Sequence, residues 1–276
     1  MARFLPSPVA AFNRLVPKDF GSIRAAAGLA YDDGPRHLFD LYRPRRRSAT
    51  GLPLLVFLYG GSWASGRRQD YEFAGRAFAS RGFVVAVPDY RLVPEAHFPD
   101  FVADAAAAVT QAARIACDHG GDPRRIVLAG HSAGAYIAAM LALDPQWLGR
   151  ARQAVRGFIG LAGPYDFLPL DGPATRAAFG RAEDLKATQP VRFAAPDSPP
   201  ALLLHGAGDR TVRPRNSERL AAALAKAGED ARVKIYPRIG HSDILTALAL
   251  PLRGRAPVLA DSAAFAHEVC NDAAAL

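Results

Sequence analysis

Two cysteines in 276 residues are too few for a disulfide framework, and Cys117 and Cys270 stand far apart with no metal-ligand spacing. Both read as buried or half-buried thiols in helical contexts. No apolar run approaches the roughly 18 residues that a membrane span needs. The opening stretch, Met1 to Val16, carries Arg3 and Arg14 but is broken by Pro6 and Pro8. It shows no apolar h-region and no cleavage site, so a cytoplasmic location is expected. There is also no internal repeat and no low-complexity linker that would divide the chain.

The charge is lopsided: 34 basic against 26 acidic residues give a net +8. The basic residues are scattered, however, and only Arg43-Pro-Arg-Arg-Arg47 forms a tight cluster, in what reads as a surface loop. No nucleic-acid motif accompanies it, which excludes nucleic acid as the expected partner. Half of the residues are apolar, enough to bury a sizeable core.

Eight short apolar runs have strand character: Gly28–Tyr31, His37–Tyr42, Leu54–Tyr59, Phe83–Val87, Ile126–Ala129, Gly157–Ala162, Ala201–His205 and Arg232–Tyr236. Helical stretches at Tyr71–Ser80, Asp100–Cys117, from about Ala135, and at Ser217–Ala227, His241–Leu250 and Asp261–Cys270 alternate with them. Residues 1 to about 24 read as a loose or helical lead-in. Buried strands alternating with helices predict one α/β domain, built on a mostly parallel, doubly wound, eight-stranded sheet. The Pro- and Gly-rich stretch from Gly163 to Pro200 is too long for a plain connection and is expected to form a small lid.

The chain is organised around Gly130-His-Ser-Ala-Gly134, which joins an apolar strand to an alanine-rich helix. A serine on such a sharp turn stands clear of the sheet, and this is the nucleophile-elbow pattern of α/β-hydrolases. The amide of Ala133, at a helix start, can face a developing oxyanion. A serine hydroxyl needs a base, and the base an orienting acid. Asp209 follows the strand Ala201–His205 in Gly206-Ala-Gly-Asp209, where such sheets gather catalytic groups; Asp166 and Asp243 fit less well. His241 follows the last strand in Ile239-Gly-His241 and is free to reach over the sheet. His131 is expected to point away from the serine, His97 and His119 lie in earlier loops, and His205 reads as packed. Tyr59-Gly-Gly-Ser-Trp63 ends the strand that should supply a second oxyanion donor, through glycines that let main-chain amides come close.

Gly-His-Ser-Ala-Gly, Tyr-Gly-Gly-Ser-Trp and Asp89-Tyr-Arg-Leu-Val-Pro-Glu95 with Phe98-Pro99 together resemble the serine esterases of the α/β-hydrolase fold near the hormone-sensitive-lipase group. The similarity runs from about Tyr31 to His241. It implies Ser132 as nucleophile, Asp209 as acid and His241 as base, with Gly61, Ser62 and Ala133 supplying oxyanion amides. It also implies that Asp89–Glu95 is structural, shaping the wall beside the oxyanion loop. Two departures stand out: Tyr59 and Ser62 replace the usual His and third Gly, and His131 stands where Asp is frequent, as in arylformamidase-like branches. The group's large N-terminal cap is mostly missing, which predicts an open site.

The expected activity is hydrolysis of short-chain acyl esters, small molecules, without metal or cofactor. Trp63, Tyr165, Phe167 and Phe179 are candidates for an aromatic pocket, with core packing as their alternative. Amide or formamide hydrolysis, peptidase-like or arylformamidase-like, is the competing enzymatic reading; a non-catalytic ligand-binding role is the third. A homodimer is left open.

Overall fold

The protein was analysed as a computed structural model, which describes residues 7–46 and 51–272. Met1 to Pro6 of the expected lead-in, and Arg47 of the basic cluster, lie outside the described residues.

Eight strands form one sheet: β1 (Ser22–Ala30), β2 (Leu38–Pro44), β3 (Leu52–Leu58), β4 (Val84–Pro88), β5 (Gly121–His131), β6 (Val155–Leu161), β7 (Ala201–Gly206) and β8 (Ala231–Tyr236). Their spatial order is β1-β2-β4-β3-β5-β6-β7-β8. The first two pairings, β1 with β2 and β2 with β4, are antiparallel, and every later one is parallel. The helices are α1 (Pro8–Leu15), α2 (Glu72–Ala79), α3 (Asp100–Ile115), α4 (Ala133–Leu143), α5 (Pro145–Leu148), α6 (Pro173–Phe179), α7 (Arg215–Lys226), α8 (His241–Thr246) and α9 (Val258–Asp272).

The interior strands explain their own sequences. Leu54–Leu58, Val84–Val87, Ile126–Ala129 and Leu202–Leu204 are almost completely buried, as continuous apolar runs must be when helices cover both sheet faces. Helices α3 and α4 pack together over the middle of the sheet, while α2 and α9 meet elsewhere on it. Every residue of α4 is buried. Its alanines let the helix axis lie close to β5 and β6, which places the elbow at the sheet's midline. The edges are different. Strand β8 carries Arg232 and Lys234, whose ion pairs to Glu268 and Asp261 keep it from offering a bare apolar edge.

Several boundaries moved from the sequence-based expectation. The strand expected at Gly28–Tyr31 begins six residues earlier, at Ser22, because Ser22–Arg24 and Ala26 also pair with β2, across two irregularities in the ladder. The long helix ends at Ile115 and tightens into a 3-10 turn over Ala116–His119, closed by Gly120 at φ 85°. Cys117 sits on that turn and is exposed, contrary to the expected burial; Cys270 is buried. The lead-in is a helix whose first turn is capped by Ser7, its hydroxyl accepting from the Ala10 N–H. Arg43 lies near the end of β2, which Pro44 closes, and Arg45 and Arg46 are exposed beyond it. Among the described residues no helix is long and apolar enough to cross a membrane.

Residues 163–200 hold α6 and two single 3-10 turns, at Lys186–Thr188 and Pro190–Phe193. The segment is tied to the body: the Phe98 N–H donates to Ala178 O, and the Tyr165 and Asp166 N–H groups donate to Asn216 Oδ1.

Candidate active site

The elbow is sterically enforced. Ser132 follows β5 with φ 54° and ψ −121°, a backbone conformation that non-glycine residues adopt at a cost. A Cβ at position 134 would fall 2.0 Å from the Leu58 carbonyl oxygen, and one at position 130 would fall 2.4 Å from the Gly134 carbonyl group. The two glycines therefore let β3, β5 and the start of α4 approach one another, and that approach raises the serine.

Three side chains, from the turn after β5, the loop after β7 and the first residue of α8, meet above the sheet. Ser132 Oγ lies 2.9 Å from His241 Nε2, and His241 Nδ1 lies 2.7 Å from Asp209 Oδ2. Burial alone would raise the Asp209 carboxyl. Hydrogen bonds from His205, His241 and the Val212 N–H outweigh that and hold it well below the usual carboxylate range. An ionised carboxylate only accepts, so Nδ1 of His241 carries the proton and Nε2 is left bare to accept from the serine hydroxyl. The other oxygen, Asp209 Oδ1, accepts from the Thr211 and Val212 N–H groups, each at 2.9 Å.

Two further histidines support this arrangement. His205, fully buried at the end of β7, donates from Nε2 to Val212 O at 2.9 Å and lies 3.3 Å from Asp209 Oδ2. It is packed, as expected, but it also holds the acid loop, and its position four residues before Asp209 was the only sequence signal. His131 makes no side-chain hydrogen bond to Ser132 among the described residues, but it packs against the base. Its ring centroid is 4.9 Å from that of His241, and its Nε2 donates to the His241 carbonyl at 3.0 Å. Burial, reinforced by the neighbouring His241, pushes the His131 imidazole down to about 3.

That last value carries a prediction. Between pH 6.5 and about 3 the unfolded chain binds a proton at residue 131 that the folded chain refuses. The stability from a neutral His131 is therefore full above the unfolded value and is lost as pH falls below it, by up to about 1.4 kcal/mol per pH unit. His131→Asn should lose less thermal stability between pH 7 and pH 5 than the wild type, measured by melting at each pH. Parallel curves would contradict the burial of a neutral ring.

The loop after β3 faces the serine from the other side. Gly61, Ser62 and Trp63 all have positive φ, at 138°, 53° and 57°. The N–H groups of Gly61, Ser62 and Ala133 donate to no protein acceptor among the described residues. Two non-glycine residues in left-handed conformations need external support, and tyrosines supply it. Tyr90 donates to Tyr59 O at 2.6 Å and Tyr71 to Gly60 O at 3.1 Å. The Tyr59 ring is stacked between those of Tyr71 and Tyr90, with centroids 5.0 and 4.8 Å away. Its hydroxyl donates to Asp89 Oδ1 at 2.8 Å. Burial, with Tyr90 and Asp89 adding to it, raises the Tyr59 phenol well above its ordinary value, so it stays a donor. Asp89 in turn pairs with buried Arg68 at 2.6 Å, and Arg68 with Asp40 at 2.8 Å. The Asp89–Tyr90 segment is thus structural, and it anchors the departure at Tyr59. The contributions of Tyr71, Arg68 and Asp40 carried no motif.

Two cavities open on either side of Ser132. One, of about 490 Å³, is largely apolar and includes Val9, Phe12, Tyr71, Phe73, His241 and Leu245 in its wall. Helix α1 contributes Val9 and Phe12 to that wall. The other, of about 810 Å³, is lined by Trp63, Phe167 and a series of charged residues. Of the four aromatic candidates, only Trp63 and Phe167 line a cavity beside the serine. Tyr165 and Phe179 are fully buried core residues. Tyr165 fills space left by Gly160 and Gly163, and Phe179 packs edge-on beneath Trp63 at 4.8 Å.

The chain is 30% identical to a probable isoprenylcysteine alpha-carbonyl methylesterase of Oryza sativa subsp. japonica, over 85% of this chain and 62% of that protein. It is 29% identical to esterase LipC of Mycobacterium tuberculosis, over 66% of this chain and 50% of that one. The chain thus spans about three fifths of the length of the plant relatives it matches. Among solved structures, esterase B from Lactobacillus rhamnosis superposes with a TM-score of 0.81 at 17% identity, covering 95% of this chain and 92% of that one. Thermogutta terrifontis esterase 2 gives 0.67 at 25% identity, over 82% and 88%. The sheet and its flanking helices are those of the α/β-hydrolase fold. A model of the BD-FAE family matches residues 39–224, well over half the chain, and the protein belongs to that family.

Proposed function

We propose that this protein hydrolyses carboxylic esters with short acyl chains through an acyl-enzyme on Ser132. The observation that carries this reading is the unbroken hydrogen-bonded line from Ser132 Oγ through His241 to Asp209. In the first half-reaction His241 Nε2 takes the serine proton as Oγ attacks the ester carbonyl. The oxyanion that forms accepts from the free amides of Gly61, Ser62 and Ala133, the last at the positive end of α4. Collapse breaks the bond to the leaving oxygen, which receives the proton from His241. Water then repeats the sequence on the acyl-enzyme and releases the acid. Asp209 stays ionised throughout and stabilises the imidazolium. The names of the relatives, a methylesterase and an esterase, support the same chemistry. Residues 163–200 are read as a short cap on a single domain, since they contribute Phe167 and Leu168 to the larger cavity.

The direct test of reaction class is turnover of p-nitrophenyl acetate against N-formylaniline under one set of conditions. Ester hydrolysis well above the formanilide rate is expected, and the reverse preference would move the assignment to amide chemistry. A second expectation concerns the acid. Asp209→Asn keeps the shape but frees His241 to adopt the wrong tautomer, so kcat should fall by roughly 10³ to 10⁴. A loss under tenfold would show that Asp209 does not orient the base.

A further inference from the structure

The esterase reading leaves one feature of the site without a role. The larger cavity beside Ser132 has Arg210, Arg213, Arg215 and Arg219 on one wall, and Asp166 and Asp171 on the facing segment. Arg219 is engaged by Asp166 at 2.8 Å. Arg210, Arg213 and Arg215 are exposed and make no ion pair among the described residues. Three free guanidinium groups against one free carboxylate leave this cavity net positive.

The loop that bears them is rigidly built. Its start is held by Asp209 Oδ1, which accepts from Thr211 and Val212, and by His205, which donates to Val212 O. Its end is held by buried Asn216, whose Oδ1 accepts from the Tyr165 and Asp166 N–H groups, each at 2.9 Å. The arginines are therefore carried on the same loop that positions the triad acid.

The two cavities also differ in which half of an ester they suit. His241 lines the apolar one and is absent from the wall of the other. Because His241 must hand its proton to the leaving oxygen, the alcohol portion belongs on the apolar side. The acyl portion then extends past Ser62 and Trp63 toward the arginines.

Resting on the esterase reading, we infer that the Arg210–Arg215 loop recognises an anionic group at the far end of the acyl portion, and that the preferred substrates are half-esters of dicarboxylic acids with an apolar alcohol. Guanidinium groups suit this task because they pair with carboxylates through a planar fork. Each exposed pair contributes modestly, roughly two- to fivefold in affinity, so three acting together predict about tenfold or more.

The test compares mono-p-nitrophenyl adipate with p-nitrophenyl hexanoate, which have equally long acyl chains, in the full-length protein. The wild-type ratio of kcat/KM, adipate over hexanoate, should exceed by about tenfold or more the ratio in a variant with Arg210→Gln, Arg213→Gln and Arg215→Gln. The difference should appear in KM, shrink as salt is raised, and return in part, through charge alone, in the corresponding triple Lys variant. A carboxylate on the alcohol side, in para-carboxyphenyl hexanoate against phenyl hexanoate, should give no such gain. Should the triple variant not fold, the single Arg213→Gln variant and the wild-type salt dependence supply the same readout. A ratio that is insensitive to both salt and these substitutions, or a gain confined to the alcohol-side carboxylate, overturns the inference while leaving the esterase reading intact. Absence of turnover on every ester, with Ser132 unreactive toward an organophosphate, overturns both.

Discussion

Ser132→Ala is expected to lower kcat/KM on p-nitrophenyl acetate by about 10⁵, leaving a residue of catalysis from the oxyanion amides and binding. Among the described residues only one hydroxyl lies within hydrogen-bond reach of His241 Nε2, and it belongs to this serine. Alanine meets the same backbone strain at φ 54° and removes only the oxygen, so the fold should be unaffected. A melting temperature within about 2 °C of wild type would establish that the loss is chemical. A fall of less than about a hundredfold would mean that another nucleophile or a directly activated water does the work.

Asp89→Ala should be among the most damaging substitutions outside the triad. Arg68 is nearly buried, and its guanidinium is neutralised by Asp89 at 2.6 Å and Asp40 at 2.8 Å. Arg68 keeps Asp40, but deleting the Asp89 carboxylate leaves the buried Tyr59 hydroxyl, the Arg68 N–H and one guanidinium arm without an acceptor and empties space, a combination that costs about 3–5 kcal/mol. For a domain of this size the melting temperature should drop by roughly 6–15 °C. The same carboxylate accepts from Tyr59 and from the Arg68 N–H at 2.7 Å, so the oxyanion loop loses its footing as well. The surviving folded fraction should therefore show a depressed kcat. A variant that melts like wild type would show that the Arg68 guanidinium finds another partner or water, and that the network is not the loop's anchor.

What could be read from the sequence follows from how local each signal is. The buried strands announced themselves because a sheet covered on both faces demands unbroken apolar runs, as in Leu54–Leu58. The elbow was legible because two glycines must bracket a raised serine at fixed spacing. Asp209 and His241 could be located because they follow β7 and β8, where chain order and strand ends coincide. The rest depends on contacts between residues distant in the chain. Nothing near Pro8 marks its helix as the wall of a cavity beside residue 241. The partners of Tyr59 come from positions 36, 71, 89 and 90, and only the last two belong to a motif. The pairing of His131 with His241, rings 4.9 Å apart, joins residues 110 positions apart and left no local signal. Tyr165 and Phe179 were drawn to the pocket by residue type alone, whereas their places beneath Gly160 and Trp63 put them in the core.

The account turns on a single reactive hydroxyl, and stoichiometric labelling with paraoxon reads it most directly. The wild-type protein should release one equivalent of p-nitrophenolate, gain one diethylphosphoryl group by intact mass, and carry it on the peptide containing Ser132. No adduct, or an adduct mapped to any other residue, would contradict the account.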